Sequence, residues 1–269
     1  MANTTPTPGN SLQGRTAVVT GANGGLGQAI VYRLADLGWN VVPVDIVGTS
    51  RTLDVRDAQA CRDLAREVQP DLWVNNAGVI GAGDAATQGD DVVEAVVHTN
   101  LLGVINGTRA ALYEMRQRDG GRGAGHIVNI GSLASWVPVP GEAVYGATKA
   151  GVLSYTLALV AELKLQGVTG VRLSVVCPDG MSTPMLTDIA DEPAIALSFT
   201  GIRLTKPETV AARISTLLDK PKIVASVPRW RGAQVRILGA VPELSLPLAG
   251  LFNKVGAANQ KRWAKSLSR

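Results

Sequence analysis

Short β-branched runs alternate with stretches of helical periodicity along this chain, and that alternation limits it to few architectures. Residues 15–20, 40–45, 71–75, 125–130 and 171–176 read as strands, with 222–227 as the last. Helical spacing fills 26–37, 57–68, 90–118 and 142–164. The order implies an α/β fold, a doubly wound parallel sheet of about seven strands flanked by helices. Only eight residues separate Asp45 from Asp54, whereas a crossover carrying a helix needs about a dozen. The third strand is therefore expected as a short edge element over 49–52.

The chain's 269 residues, 46% of them hydrophobic and 30 of them glycine, suit one domain with a buried sheet and many tight turns. No uninterrupted apolar run reaches membrane-spanning length. Residues 1–13 read as a disordered leader without the basic start or apolar middle of a secretion signal. Cys61, Cys177, His98 and His126 are too scattered for a zinc site or a disulfide framework, so no metal is expected and the setting is read as cytoplasmic. No histidine follows His126, which excludes an α/β-hydrolase triad, and no Gly-Lys-Ser/Thr of a phosphate-binding loop occurs.

The net charge of +4 is unevenly placed. Residues 229–269 carry eight basic residues and one acidic, leaving 18 basic against 21 acidic before them. The expected organisation is a catalytic domain over 14–228 and a basic amphipathic tail over 229–269. In the tail Leu244, Leu248, Leu251, Phe252 and Val255 oppose Lys254, Lys261 and Lys265. Its favoured role is an arm on a neighbouring subunit of a homodimer or homotetramer. Peripheral contact with an anionic membrane is the alternative. Nucleic acid is not an expected partner.

Thr20-Gly-Ala-Asn-Gly-Gly-Leu-Gly27 follows the first strand and opens a helix, so its glycines let the backbone approach a pyrophosphate at a helix N-terminus. A Rossmann-type dinucleotide site is the reading. Asp45, ending the second strand, would bond the adenosine ribose hydroxyls and repel a 2′-phosphate, which favours NAD over NADP. Further on, Tyr145 and Lys149 lie four residues apart on one helix face, with Ser132 thirteen residues before the tyrosine. The lysine charge is expected to lower the phenol pKa and make Tyr145 a usable acid/base.

Taken together, Thr20–Gly27, Asp54, Asn75-Asn-Ala-Gly78, Asn100, Ser132 and Tyr145 with Lys149 resemble the short-chain dehydrogenase/reductase family over about 14–227. The resemblance implies Tyr145 as general acid/base, Lys149 as its neighbour and a ligand of the nicotinamide ribose, Ser132 as donor to the substrate oxygen, and Asn100 as holder of a water behind Lys149. It implies cofactor contacts from Gly21, Asn23, Gly25, Leu26, Gly27, Asp45, Asp54, Val55, Asn76, Ala77 and Gly78. Pro178, Met181 and Thr183 would complete them, with Asp54 accepting from the adenine amino group. Trp136 and Met185 join Ser132 and Tyr145 as expected substrate contacts, and Met185, Leu186, Ile189, Ile195, Leu197 and Phe199 read either as an apolar lid or as the packed core of short helices. One departure stands out: Asp179 occupies the place of the family's glycine, and Gly180 is expected to inherit its special conformation. The expected activity is NAD-dependent interconversion of a hydrophobic secondary alcohol and its ketone. The rival is a binding protein that senses NAD or scaffolds a partner through the tail.

Overall fold

Period-two burial in the first strand sets up two helical layers. In the computed structural model, which describes residues 14–201 and 203–267, β1 (Thr16–Thr20) sends Ala17 and Val19 to one side of a sheet and Val18 to the other. The leader expected over 1–13 lies outside the described residues. α1 (Gly25–Asp36) packs Ile30 and Leu34 against the Ala17 and Val19 side. β2 (Asn40–Asp45) and the two-residue β3 (Arg51–Thr52) follow with no helix between them, in keeping with the short link.

The chain then runs through α2 (Ala58–Val68), β4 (Leu72–Asn75), α3 (Asp90–Val97), α4 (Gly103–Arg116), β5 (Gly125–Ile130) and α5 (Ala143–Leu165). β6 (Val171–Pro178), α6 (Pro184–Thr187), α7 (Pro207–Asp219) and β7 (Val224–Val227) complete the sheet. The seven strands pair in parallel in the order β3-β2-β1-β4-β5-β6-β7. The strand order reverses between β1 and β4, which opens a crevice at their C-terminal ends, the place where such sheets bind ligands. α1 and α7 cover one face, and α2, α4 and α5 cover the other.

The helix expected over 90–118 is interrupted. A widened π turn, His98–Leu102, separates α3 from α4 and carries the fully buried Asn100. Such turns recur at functional sites because one extra residue re-aims a side chain. α5 is long and apolar enough by length and composition to cross a membrane, yet here Val152 and Leu153 pack against Val175 and Cys177 of β6.

Asp179, just beyond β6, needs none of glycine's freedom, since the described non-glycine residues with positive φ are Gln69 and Asp119. Gly180 inherits no left-handed conformation either. It is small because a Cβ there would collide with the Ser198 carbonyl. Asp179 instead accepts from Arg231 Nε at 2.9 Å, a nearly buried ion pair anchoring α8 (Arg229–Ala240). Arg231 also donates to Thr200 Oγ1 and Gln234 Oε1, so each of its three guanidinium nitrogens has a partner.

Beyond α8 come α9 (Pro242–Ser245) and α10 (Ala249–Leu267). This segment, expected as an arm on a neighbouring subunit, packs residues of α10 over 190–199 of its own chain. Gln260 Nε2 donates to the carbonyls of Ala190 and Glu192 at 2.7 and 2.8 Å, Asn259 Nδ2 donates to that of Phe199, and Trp263 packs on the Phe199 ring. Leu248, Leu251 and Val255 stay exposed.

Removing one partner of a buried ion pair leaves the other charge desolvated without compensation. Asp179→Ala is expected to lower stability by about 3–5 kcal/mol. Replacing both residues, with Arg231→Leu added, should recover a large part of that loss. Urea unfolding of the single and double variants checks this, and equal losses in both would remove the pair from the explanation.

Candidate functional site

Two glycines shape the cofactor end of the crevice. Gly21 holds φ at +62°, and a Cβ there would lie 2.6 Å from the Ala77 backbone; at Gly27 a Cβ would strike the Gly21 carbonyl. The β1 turn can therefore fold tightly onto the start of α1, leaving the helix N-terminus open to an anion. Thr20 Oγ1 accepts from the backbone N–H groups of Asn76 and Ala77, and Asn76 Nδ2 donates to the carbonyls of Thr20 and Gly21. Asn76 thus ties the β1 and β4 loops together from within the wall.

A cavity of about 400 Å³ runs along these loops. It brings together Gly21, Gly25, Leu26 and Gly27 with Asp45, Asp54 and Val55. Asn76, Ala77 and Gly78 form another wall, and Pro178, Met181, Thr183 and Met185 approach from beyond β6. Asn23 lies outside the lining; its N–H donates to Asp45 Oδ2 at 2.9 Å and so fixes that carboxylate. Asp54 is not left open for an amino group. Arg56 grips it through Nε and Nη2 at 2.6–2.9 Å, which holds the carboxyl below its ordinary range. Arg56 itself lines the cavity and went unnoticed in the sequence, although its place two residues after Asp54 was the available signal. A cradle that admits only glycine, a helix start and a carboxylate at the end of β2 fit a nicotinamide dinucleotide.

Further along the crevice the chemistry-bearing side chains converge. β5 ends beside Gly131 and Ser132, and Ser132 caps a short 3₁₀ turn: its Oγ accepts from Ala134 N while Ser135 Oγ accepts from Ser132 N. Ser135 Oγ donates in turn to the Lys149 carbonyl, locking the serine loop to α5. Ser132 and Tyr145 line the same stretch of the crevice, with Ser132 beside the phenol. Lys149, only 4% exposed, donates from Nζ to the Ile130 carbonyl at 3.0 Å and lies 5.6 Å from the Tyr145 ring centre.

Asn100 clamps the opposite wall. Its Oδ1 accepts from Val79 N and its Nδ2 donates to Val79 O, both at 2.8 Å. Below, Asn75 accepts from Trp73 Nε1 and donates to Asn129 and Thr108, and Asn129 donates to Thr156. This buried polar chain joins β4, β5, α4 and α5 beneath the site, and its completeness is what makes its burial tolerable.

The expected lowering of the tyrosine pKa does not hold in this arrangement. Burial, then the Glu142 charge, push the Tyr145 phenol above its ordinary 10, with the Ser132 side chain opposing them. Burial likewise lowers Lys149 to about 8. Desolvation outweighs attraction because both groups sit in the same apolar enclosure.

Beyond Ser132 lies a second cavity of about 120 Å³, walled by Val139, Leu197, Val235, Leu238 and Phe252. It meets the dinucleotide cavity at Ser132, Glu142 and Ser198. Trp136, expected here, packs behind the wall with Leu133 and Val235 and carries Arg236 4.6 Å over its ring. Met185 lines the first cavity, together with Ser132 and Tyr145. Of the expected lid, Ile195 and Phe199 form a small core with Leu186, and Leu197 alone turns to the second cavity. The tail's contribution through Phe252 had no readable signal, because it depends on how α10 folds back.

A buried ammonium costs stability. With its folded pKa depressed from 10.5 to about 8, Lys149 binds fewer protons in the native state between those values, so stability rises with pH across that window and the cost is fully present below pH 8. Lys149→Met is expected to be inactive yet more stable at pH 7: relief on the order of 3 kcal/mol is offset by about 1 kcal/mol for the lost bond to Ile130. Urea midpoints at pH 7 test this, and a clear destabilisation would contradict it.

Comparison with known proteins agrees with this geometry. The model of the short chain dehydrogenase family matches residues 48–194. The 15-hydroxyprostaglandin dehydrogenase [NAD(+)] of Rattus norvegicus is 34% identical over 205 residues, covering 67% of this chain and 73% of that protein. Among solved structures, a short chain dehydrogenase/reductase from Burkholderia phymatum in complex with NAD superposes with a TM-score of 0.75 at 24% identity, covering 87% of this chain and 95% of the other. A short chain dehydrogenase from Burkholderia cenocepacia in complex with NADP gives 0.72 at 21%, covering 87% and 96%. With the family model spanning more than half its length, and a crevice that fits the dinucleotide, this chain belongs to the short-chain dehydrogenase family of oxidoreductases.

Proposed function

We propose that the chain is an NAD-dependent oxidoreductase that interconverts a hydrophobic secondary alcohol and its ketone, with Tyr145 as general acid/base. The observation that carries this reading is the meeting of Ser132, Tyr145 and Lys149 where a dinucleotide-sized crevice joins an apolar cavity. The nicotinamide group, when bound, supplies the hydride chemistry. Tyr145 exchanges a proton with the substrate oxygen, and Ser132 donates a hydrogen bond to that same oxygen. Lys149 keeps a positive charge in the enclosure, which opposes the cost of ionising the phenol, and its ammonium would also meet the nicotinamide ribose. Asn100 positions the β4 loop against α5.

The preference for NAD rests on charge. Asp45 is held at the end of β2 by Asn23 N and Ile46 N, where it would repel a 2′-phosphate. The nearby cations are engaged: Arg51 by Glu67 at 2.7 Å and Arg56 by Asp54. The NAD(+) in the rat relative's name supports the same choice. A purely NAD-sensing or scaffolding role would leave the Ser132, Tyr145 and Lys149 constellation without a use.

For its setting we favour the cytoplasm, supported by two buried free cysteines. Exposed Leu102, Tyr113 and Leu157 on the α4 and α5 side support a homo-oligomer, and Leu251 and Val255 beside Lys254 leave an anionic membrane surface as a further contact.

Tyr145→Phe is expected to reduce kcat at least a thousandfold with NAD affinity within about threefold of the parent, because the ring packs as before. Steady-state kinetics with secondary alcohols and NAD titration measure both, and turnover within a few-fold of the parent would remove Tyr145 from the mechanism. Asp45→Ala with Ile46→Arg should weaken NAD and strengthen NADP by about tenfold each. A parent that already prefers NADP would sink the charge argument.

A further inference from the structure

Glu142 stands at the N-terminus of α5, three residues before Tyr145, yet its side chain caps no helix amide. It is 3% exposed, and its one side-chain partner among the described residues is Ser198, at 2.5 Å. No cation among the described residues forms an ion pair with it. Burial pushes its carboxyl above the ordinary range, with the Ser198 bond opposing. A carboxyl placed this way either wastes its desolvation cost or meets something polar that enters the site.

The pair is held rigidly in place. Gly141, at φ +85°, lies so close to the Ala194 carbonyl that no side chain fits between them, and Gly180 lies equally close to the Ser198 carbonyl. The loop before α5 and the 193–199 segment are thereby pressed together across the neck where the two cavities meet. The other polar groups on the wall of the apolar cavity are committed elsewhere. Asp179 and Thr200 are held by Arg231, Ser245 Oγ donates to the Pro242 carbonyl, and Ser132 faces Tyr145.

We propose that Glu142 and Ser198 form a polar subsite for a second substrate oxygen, so that the enzyme selects alcohols and ketones with a hydroxyl or carbonyl on the carbon next to the reacting one. This rests on the alcohol–ketone reading above. With the reacting oxygen between Ser132 and Tyr145, the neighbouring substituent lies at the neck, beside the only polar pair still open to it among the described lining residues. The Glu142 carboxylate accepts from a substrate hydroxyl, and the Ser198 hydroxyl can accept from a hydroxyl or donate to a carbonyl, so the pair suits either group. A plain apolar substrate would bury both groups against hydrocarbon, and sites built to bond a hydroxyl strongly reject analogues that lack it.

The test compares 2-hexanol with 2,3-hexanediol, and 2-hexanone with 3-hydroxy-2-hexanone, in the parent, Glu142→Gln, Glu142→Leu and Ser198→Ala. The parent should favour the oxygen-bearing member of each pair at least tenfold in kcat/KM. Glu142→Leu should bring the ratio toward one, mainly through a higher KM for the oxygen-bearing substrate, and Glu142→Gln should restore most of it. Ser198→Ala gives an independent reading if Glu142→Leu does not fold. Calorimetric binding of the diol and the plain alcohol to Tyr145→Phe with NAD should show the same ratio without turnover. A parent ratio near one, or a ratio untouched by Glu142→Leu and Ser198→Ala, overturns the subsite while leaving the Tyr145 mechanism standing. Turnover that survives Tyr145→Phe, or is absent with all four compounds, overturns the underlying reading and the subsite with it.

Discussion

Placing a lysine ammonium beneath the C-terminal edge of a parallel sheet, with a backbone carbonyl as its hydrogen-bond partner, is the constraint on which the rest of this site depends. The Ile130 carbonyl is available because β5 ends there, and Ser132 closes the next turn on itself through Ser135. Ser135 reaches back to the Lys149 carbonyl, so the helix bearing the charge and the loop bearing the serine share one hydrogen-bonded frame. Asn100 closes the other side by gripping Val79, and the π turn that carries it interrupts what would otherwise be one continuous helix. Each element looks like a local irregularity, and together they hold one cation in a dry place.

The same frame explains why the tyrosine is perturbed upward. Enclosure that excludes water from the reacting oxygen also desolvates the phenol, and the nearby Glu142 adds to the effect. In the proposed mechanism a bound substrate oxygen and the Lys149 charge act against that penalty. Under the proposed mechanism stability and activity therefore pull in opposite directions at Lys149, as is common where a functional group is buried.

Much of this was legible in the sequence because it rests on local chemistry. β2 and β5 match their expected spans, and the short link after Asp45 correctly excluded a helix before β3. The spacing of Ser132, Tyr145 and Lys149 placed three groups that the fold brings together. What could not be read depends on contacts between distant segments. Asp179 was visible as an anomaly, but its partner Arg231 is 52 residues away. Trp136 follows the serine closely enough to suggest a substrate contact, yet Arg236 and Leu133 draw it behind the wall. The tail's apolar residues carried the right periodicity for a helix and no information about which surface they would cover.

That covering segment has a consequence for the order in which the molecule is made. The seven strands and the dinucleotide crevice are complete in the chain by Val227, whereas Phe252 and the α10 residues that brace the 193–199 segment come later. During synthesis, when domains fold as they emerge, the nucleotide half of the site can form while the apolar half still lacks a wall. A nascent chain that has emerged only as far as Val227 would carry the walls of the dinucleotide crevice without the one that Phe252 gives the apolar cavity.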